Sequence, residues 1–186
     1  MSSRSHRACI EVLSALCFAA ATTVTVAQPS AAPYAGQQAR TIKALSDQER
    51  AALLAGHGSG FAKAAELNGY PGPAHVLELA GQLHLDSSQR AGTEALMAEH
   101  RLRARAIGAD LVAAEAELDG LFASRQANAE AVDAATQKVA MLQARLRAEH
   151  LKTHLLQTAL LTPHQVERYA SLRGYRATDG KAHRHP

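Results

Sequence analysis

From Asp86 to Ala123 apolar or small residues recur every three or four positions, at Met97, Ala104, Ile107, Leu111, Ala114, Leu118 and Leu121. That interval is the period of one helix face, so the stretch predicts a single long α-helix with a continuous buried seam. "SRQAN", Ser124 to Asn128, interrupts it as a turn, with Asn128 suited to cap a second helix. The second helix carries Val132, Ala135, Val139, Leu142, Leu146 and Leu156 on one face. At 1.5 Å per residue each helix is roughly 50 Å long, and so short a connection makes the two antiparallel neighbours. A turn centred near Gln126 sets His100 opposite about Lys152. No stretch alternates apolar and polar residues as a half-buried strand does. The predicted fold class is all-α: a long antiparallel helical hairpin with short flanking helices.

Helix starts are written three times in one chemistry. In "LTPHQ" the Thr162 hydroxyl can accept from a free backbone N–H, and Pro163 sits at the first helical position, where its missing N–H costs nothing. Gln165 completes a capping box and Leu161 can staple onto Val166. One helix therefore ends near Leu160, and a short one runs from Pro163 to about Arg173, closed by Gly174. "LDSSQ" repeats the device with Asp86 and Gln89, and "LSDQE" with Ser46 and Glu49. Upstream, Ser46 to Leu67 is helical in composition but broken by "GHGSGF", and after "NGYPGP" a short helix is expected from Pro73 through Leu83. "GHGSGF" is no phosphate loop, because no strand precedes it and no Gly-Lys-Ser/Thr follows. Ser59 lacks the flanking glycines of a nucleophile elbow.

The two ends differ from the middle. Residues 1–27 open with Arg4 and Arg7, continue in an apolar run, and reach the small-x-small triplet Thr25-Val26-Ala27, the pattern of a cleavable secretory signal peptide. The run is about 16 residues, short of the roughly 20 that span a bilayer. Both cysteines, Cys9 and Cys17, fall inside it, so the remaining chain is expected to have no disulfide or thiolate ligand. Residues 28–44 read as a flexible linker, 45–175 as one helical domain, and 176–186 as a disordered tail containing His183 and His185. The full chain has a formal charge of +3, and losing the first segment changes it by only one, so net charge names no partner. The expected location is the periplasm, with no membrane-integral segment after signal cleavage.

"LHLDSSQ", then a long helical hairpin, then "LLTPHQVERYASLRGY", in an exported chain free of cysteine once processed, resembles the periplasmic LTxxQ family. That family includes CpxP- and Spy-type chaperones and adaptors and related heavy-metal resistance and sensor proteins. The resemblance covers roughly Pro71 to Tyr175. Leu161, Thr162 and Gln165 match the motif fully; Leu85 and Gln89 match with Asp86 in place of threonine, which keeps the capping chemistry. The resemblance implies a curved CpxP/Spy-like fold, often dimeric, whose concave face binds unfolded or partner polypeptide.

Charge and imidazole then add two candidate chemistries. Arg101, Arg103 and Arg105 on the first long helix, and Arg145 and Arg147 on the second, form a basic band at the base of the hairpin, suited to steering acidic polypeptide. Asp110, Glu115, Glu117, Asp119, Glu130 and Asp133 make the other end acidic, and this gradient predicts an antiparallel homodimer. His150 and His154 lie one turn apart, and His100 faces them across the hairpin, a set that can chelate zinc, nickel, cobalt or copper. The leading expectation is a stress-response protein that binds polypeptide without ATP and requires no cofactor. The alternative is a metal-binding sensor or resistance protein using those histidines. No constellation points to catalysis. Aromatic residues are 4% and no recognition motif occurs, which argues against nucleic acid.

Overall fold

A computed structural model of the chain describes residues 32–175. The expected signal peptide, residues 28–31 of the expected 28–44 linker, and the histidine tail lie outside the described residues. Within them the protein is all-α, with no strand. The helices are α1 (Asp47–Ala55), α2 (Lys63–Glu66), α3 (Pro73–Glu78), α4 (Ser87–Ala123), α5 (Ala129–Ala159) and α6 (Pro163–Leu172).

The three predicted helix starts form as capping boxes. Ser46, Asp86 and Thr162 each accept from the backbone N–H three residues on, and Glu49, Gln89 and Gln165 reach back to the cap backbone. Asn128 caps α5 through Ala131 N–H. α4 and α5, of 37 and 31 residues, run antiparallel, with Thr93 beside Gln157, His100 beside Thr153 and Glu117 beside Lys138. One core cluster joins Leu53 of α1 to Ala104, Leu111, Ala114, Val139, Leu142 and Leu146 of the hairpin. A second, at the open end, joins Val76, Leu83, Leu161 and Tyr169, flanked by Leu85 and Val166.

Several expectations shift. The linker is shorter than expected: Ile42 is buried, and Lys43 donates from both its backbone N and its ammonium to Asp119. The helix from Pro73 ends at Glu78, and hydrogen-bonded turns carry the chain to His84, whose φ is 52°. Leu156 is exposed, because the buried seam of α5 continues from Leu146 through His150, Thr153 and Gln157 at steps of four, three and four. Glu115 is buried on α4, and burial raises its carboxyl above the usual range. It is therefore a poor member of an exposed acidic tip. Asp119 and Glu117 are already paired with Lys43 and Lys138.

The two glutamine boxes, far apart in sequence, meet. Gln89 Nε2 donates to Gln165 Oε1 at 2.8 Å and Gln165 Nε2 donates to Gln89 Oε1 at 2.9 Å. The same amides donate to Leu160 O and Leu83 O, so each glutamine caps its own helix and also holds the turn beside the other. Elsewhere α1 presses onto α4 at Gly108, where an added Cβ would lie 2.2 Å from the Leu53 carbonyl oxygen.

Two outcomes follow for stability. Gln89→Ala and Gln165→Ala should each destabilise, Gln165→Ala by about 2–4 kcal/mol because its amide is buried. A double-mutant cycle in denaturant should give coupling of about 1–2 kcal/mol, and strict additivity would refute the amide pair. Gly108→Ala should lower the melting temperature although alanine favours helix by about 1 kcal/mol; a rise would mean that the α1–α4 approach is looser than described.

Candidate functional site

The base of the hairpin carries polar chemistry on both of its sides. On the side covered by α1–α3 is a cavity of about 780 Å³. Its walls come from the glycine loop at residues 56–60, from Glu66 and Lys63 of α2, from Gly72 to His75, and from Met97, His100, Arg101, Arg105, His150, Thr153 and His154 of the hairpin. On the other side a groove of about 430 Å³ runs between α4 and α5, lined by Arg103, Ala106, Ile107, Arg145, Ala148, Glu149 and Lys152.

The three candidate metal ligands do share the cavity, and their rings are specified by neighbours. His100 Nδ1 lies 3.0 Å from Thr153 Oγ1 and 3.3 Å from Glu149 Oε1. Thr153 spends its proton on the Glu149 carbonyl, so both groups accept and the proton sits on His100 Nδ1. His154 Nδ1 lies 2.7 Å from the Tyr70 carbonyl, which can only accept, so this nitrogen donates. His150 is 4% exposed, meets His100 edge-on at 4.6 Å between ring centroids and stacks on Phe61 at 5.8 Å. Its Nε2 is buried and has no hydrogen-bond partner.

These engagements correct the chelate expectation. Among the described residues no group of three or more His, Cys, Asp or Glu is placed to hold a metal ion. His100, His150 and His154 form a packed imidazole cluster in place of a coordination sphere. Helical spacing and hairpin register brought them to one level, but ring orientation follows Thr153, Tyr70 and Phe61, which the spacing does not encode.

Burial disfavours the charged form of two of the rings, His150 and His100. Burial lowers the His150 pKa to about 4, and the neighbouring His100 and His154 push the same way. Burial also lowers His100, against the opposing effect of its hydrogen bond to Glu149. Burial on its own would raise Glu149, but hydrogen bonds from Arg103, at 2.8 Å, and His100 hold it below the usual carboxyl range.

A second network, missed in the sequence, closes the cavity toward α6. Tyr169 donates to Glu66, whose carboxylate also faces His75 at 3.4 Å, His154 at 3.6 Å and Arg173 at 3.8 Å. Burial first, then that hydrogen bond, raises the Tyr169 hydroxyl pKa. Glu66 lies in a stretch without helical periodicity, so only its place in the alanine-rich "AKAAELNG" run was visible.

The basic band divides between the two sides. Arg101 and Arg105 line the cavity, Arg103 and Arg145 line the groove, and Arg147 is exposed away from both linings. The motif residues Leu85, Asp86, Gln89, Leu161, Thr162 and Gln165 gather at the open end as the glutamine pair and its apolar surround. No family model, no curated protein and no solved structure matches this chain.

The imidazole cluster sets a pH dependence. A His150 pKa lowered to about 4 from 6.5 means that the unfolded chain takes up the proton first. The stability it contributes is present above about pH 6.5 and is lost as pH falls through about 4, amounting to roughly 3 kcal/mol. Denaturation midpoints should fall across that window, and His150→Phe should remove most of the slope above pH 4.5, where carboxylates begin to contribute. An unchanged slope in that variant would count against the buried imidazole as its source.

Proposed function

We propose that the protein binds unfolded or partner polypeptide without nucleotide, on the groove side of the hairpin base, as a periplasmic stress-response protein of the CpxP/Spy kind. The observation that carries this reading is the stripe beside the groove. Met141, Arg145, Ala148, Lys152 and Leu155 follow at helical steps of three and four along α5, with Leu156 four after Lys152, and none of them belongs to its buried seam. Met141 is 62% exposed, and Leu155 and Leu156 are each 53% exposed. On α4, Leu102 is 71% exposed.

Large apolar side chains gathered on one face mark interaction surfaces more often than scattered ones do. Here they alternate with cations. Arg145 and Lys152 make no ion pair with any described residue, while Arg103 shares Glu149 and Glu99. A surface of this kind suits segments that mix apolar and acidic residues: apolar contact supplies affinity, and charge supplies attraction over distance. The LTxxQ resemblance of Leu161, Thr162 and Gln165 supports the same class. Among the described residues no helix is long and apolar enough to cross a membrane.

Homodimerisation through the hairpin belongs to this proposal. Its charge argument is weaker than in the sequence, since Lys43–Asp119 and Lys138–Glu117 already neutralise part of the tip. The stripe is the better self-association surface. The metal-responsive alternative has no coordination set to rest on among the described residues.

The test is suppression of aggregation. The protein, without ATP, should slow light scattering by a chemically unfolded client. The triple variant Met141→Ser, Leu155→Ser, Leu156→Ser should lose most of that effect with its melting temperature unchanged. Arg145→Glu with Lys152→Glu should weaken it for acidic clients and make the remainder less sensitive to salt. Full protection by the triple variant would overturn the proposed surface.

A further inference from the structure

The cavity beneath the glycine loop has no part in the polypeptide-binding reading, and its composition is specific. At about 780 Å³ it falls within the size range of sites for small organic molecules. Three cations line it, Lys63 from α2 and Arg101 and Arg105 from α4. All three are exposed at its rim. Among the described residues none of the three makes an ion pair, in contrast to Arg103 and Arg173 on neighbouring surfaces. Like charges gathered at a concave, low-dielectric wall focus a positive potential that only an anion relieves.

The one carboxylate in the wall does not relieve it. Glu66 accepts from Tyr169 and faces His75, His154 and Arg173, away from the three cations at the rim. Away from the rim and Glu66 the wall consists of apolar side chains, glycines, hydroxyls and imidazoles. Ala55, Ala62, Pro73, Ala74 and Met97 are apolar, and burial keeps the His100 and His150 rings neutral near pH 7. The cavity therefore has a cationic rim and, behind it, a wall in which apolar side chains and imidazole rings predominate. A neutral ligand would leave the rim unanswered.

We propose that this cavity binds a single-headed amphipathic organic anion, a carboxylate with an aliphatic or aromatic body. The head sits at the rim formed by Lys63, Arg101 and Arg105. The body lies against Met97, the alanines and the imidazole faces. Because the groove lies on the other side of the α4–α5 pair, this site stands whether or not polypeptide binds there.

Octanoate is the probe, titrated into the ¹⁵N-labelled protein, with octanol and octyltrimethylammonium as neutral and cationic counterparts of the same body. Octanoate should saturate and shift the amides of Gly56, Gly58, Gly60 and Gly72, and the two counterparts should bind at least about tenfold more weakly, the loss of one charge-assisted contact. Arg101→Glu with Arg105→Glu should weaken octanoate by a similar factor at unchanged melting temperature. Gly58→Leu provides a second variant that leaves the charges in place. The backbone there is not left-handed, and an added Cβ would make ordinary contact with His150 at 3.5 Å. It should block octanoate by filling the cavity. No saturable shift with octanoate, equal binding of octanol, shifts confined to the Met141–Leu156 face, or unaltered affinity in both variants would each overturn the site.

Discussion

A reciprocal pair of amides holds the open end of this protein together. Gln89 and Gln165 are separated by 76 positions, yet each amide both gives and receives a hydrogen bond from the other. Each also closes a capping box on its own helix and donates to a turn carbonyl. Glutamate could cap either helix equally well but has no N–H to offer across the pair. The amide is therefore specified by the tertiary contact, and the cap by the local helix. Without it, Leu83 and Leu160 would lose the amide donors to their carbonyls, and α6 would be held by the small apolar cluster around Tyr169 and by the contacts of Arg168, Tyr169 and Arg173.

From that anchored end the hairpin base inherits its two faces. Fixing α6 against the turn after α3 brings Tyr169 and Arg173 onto Glu66 and so closes one side of the cavity. The glycine loop closes another, and α4 and α5 supply its floor. The hairpin seam changes character at this level. Toward the turn it is aliphatic, through Leu111, Ala114, Val139, Leu142 and Leu146. Toward the base it is polar, through His100, His150, Thr153, Thr93 and Gln157, all buried. Polar groups in such a seam must be paired, and most are; His150 Nε2 and Gln157 Oε1 are not. That leaves the base less well satisfied than the tip, in a protein whose candidate binding surfaces lie on either side of it.

The charges sort by the same geometry. A basic band that looks continuous in sequence winds around the helices, so neighbours in the chain serve different surfaces. Arg103 turns to Glu149 and the groove, and Arg101 and Arg105 turn to the cavity. Residues one or two apart on a helix do not face the same way, and this separates the groove side of the hairpin from the cavity side.

Most of the helices, and the register of the hairpin, follow from local sequence. Periods of three and four gave the two long helices, Ser46, Asp86 and Thr162 with their glutamate and glutamine partners marked three helix starts, and the short "SRQAN" connection placed His100 level with His150 and His154. Each of these follows from local backbone chemistry or from the length of a helix, and both are written in consecutive residues. Which way those side chains face, and what they meet, was settled by long-range packing. The rings of His100, His150 and His154 turned to Thr153, Phe61 and Tyr70 and formed no chelate, because a rotamer answers to packing from elements far away in the chain. Leu156 left the seam and Gln157 entered it, because the buried face drifts around a long helix. Glu66 and Tyr169 met across 103 positions, and Gln89 and Gln165 across 76, since hydrogen-bond partners at that range depend on how the short helices dock.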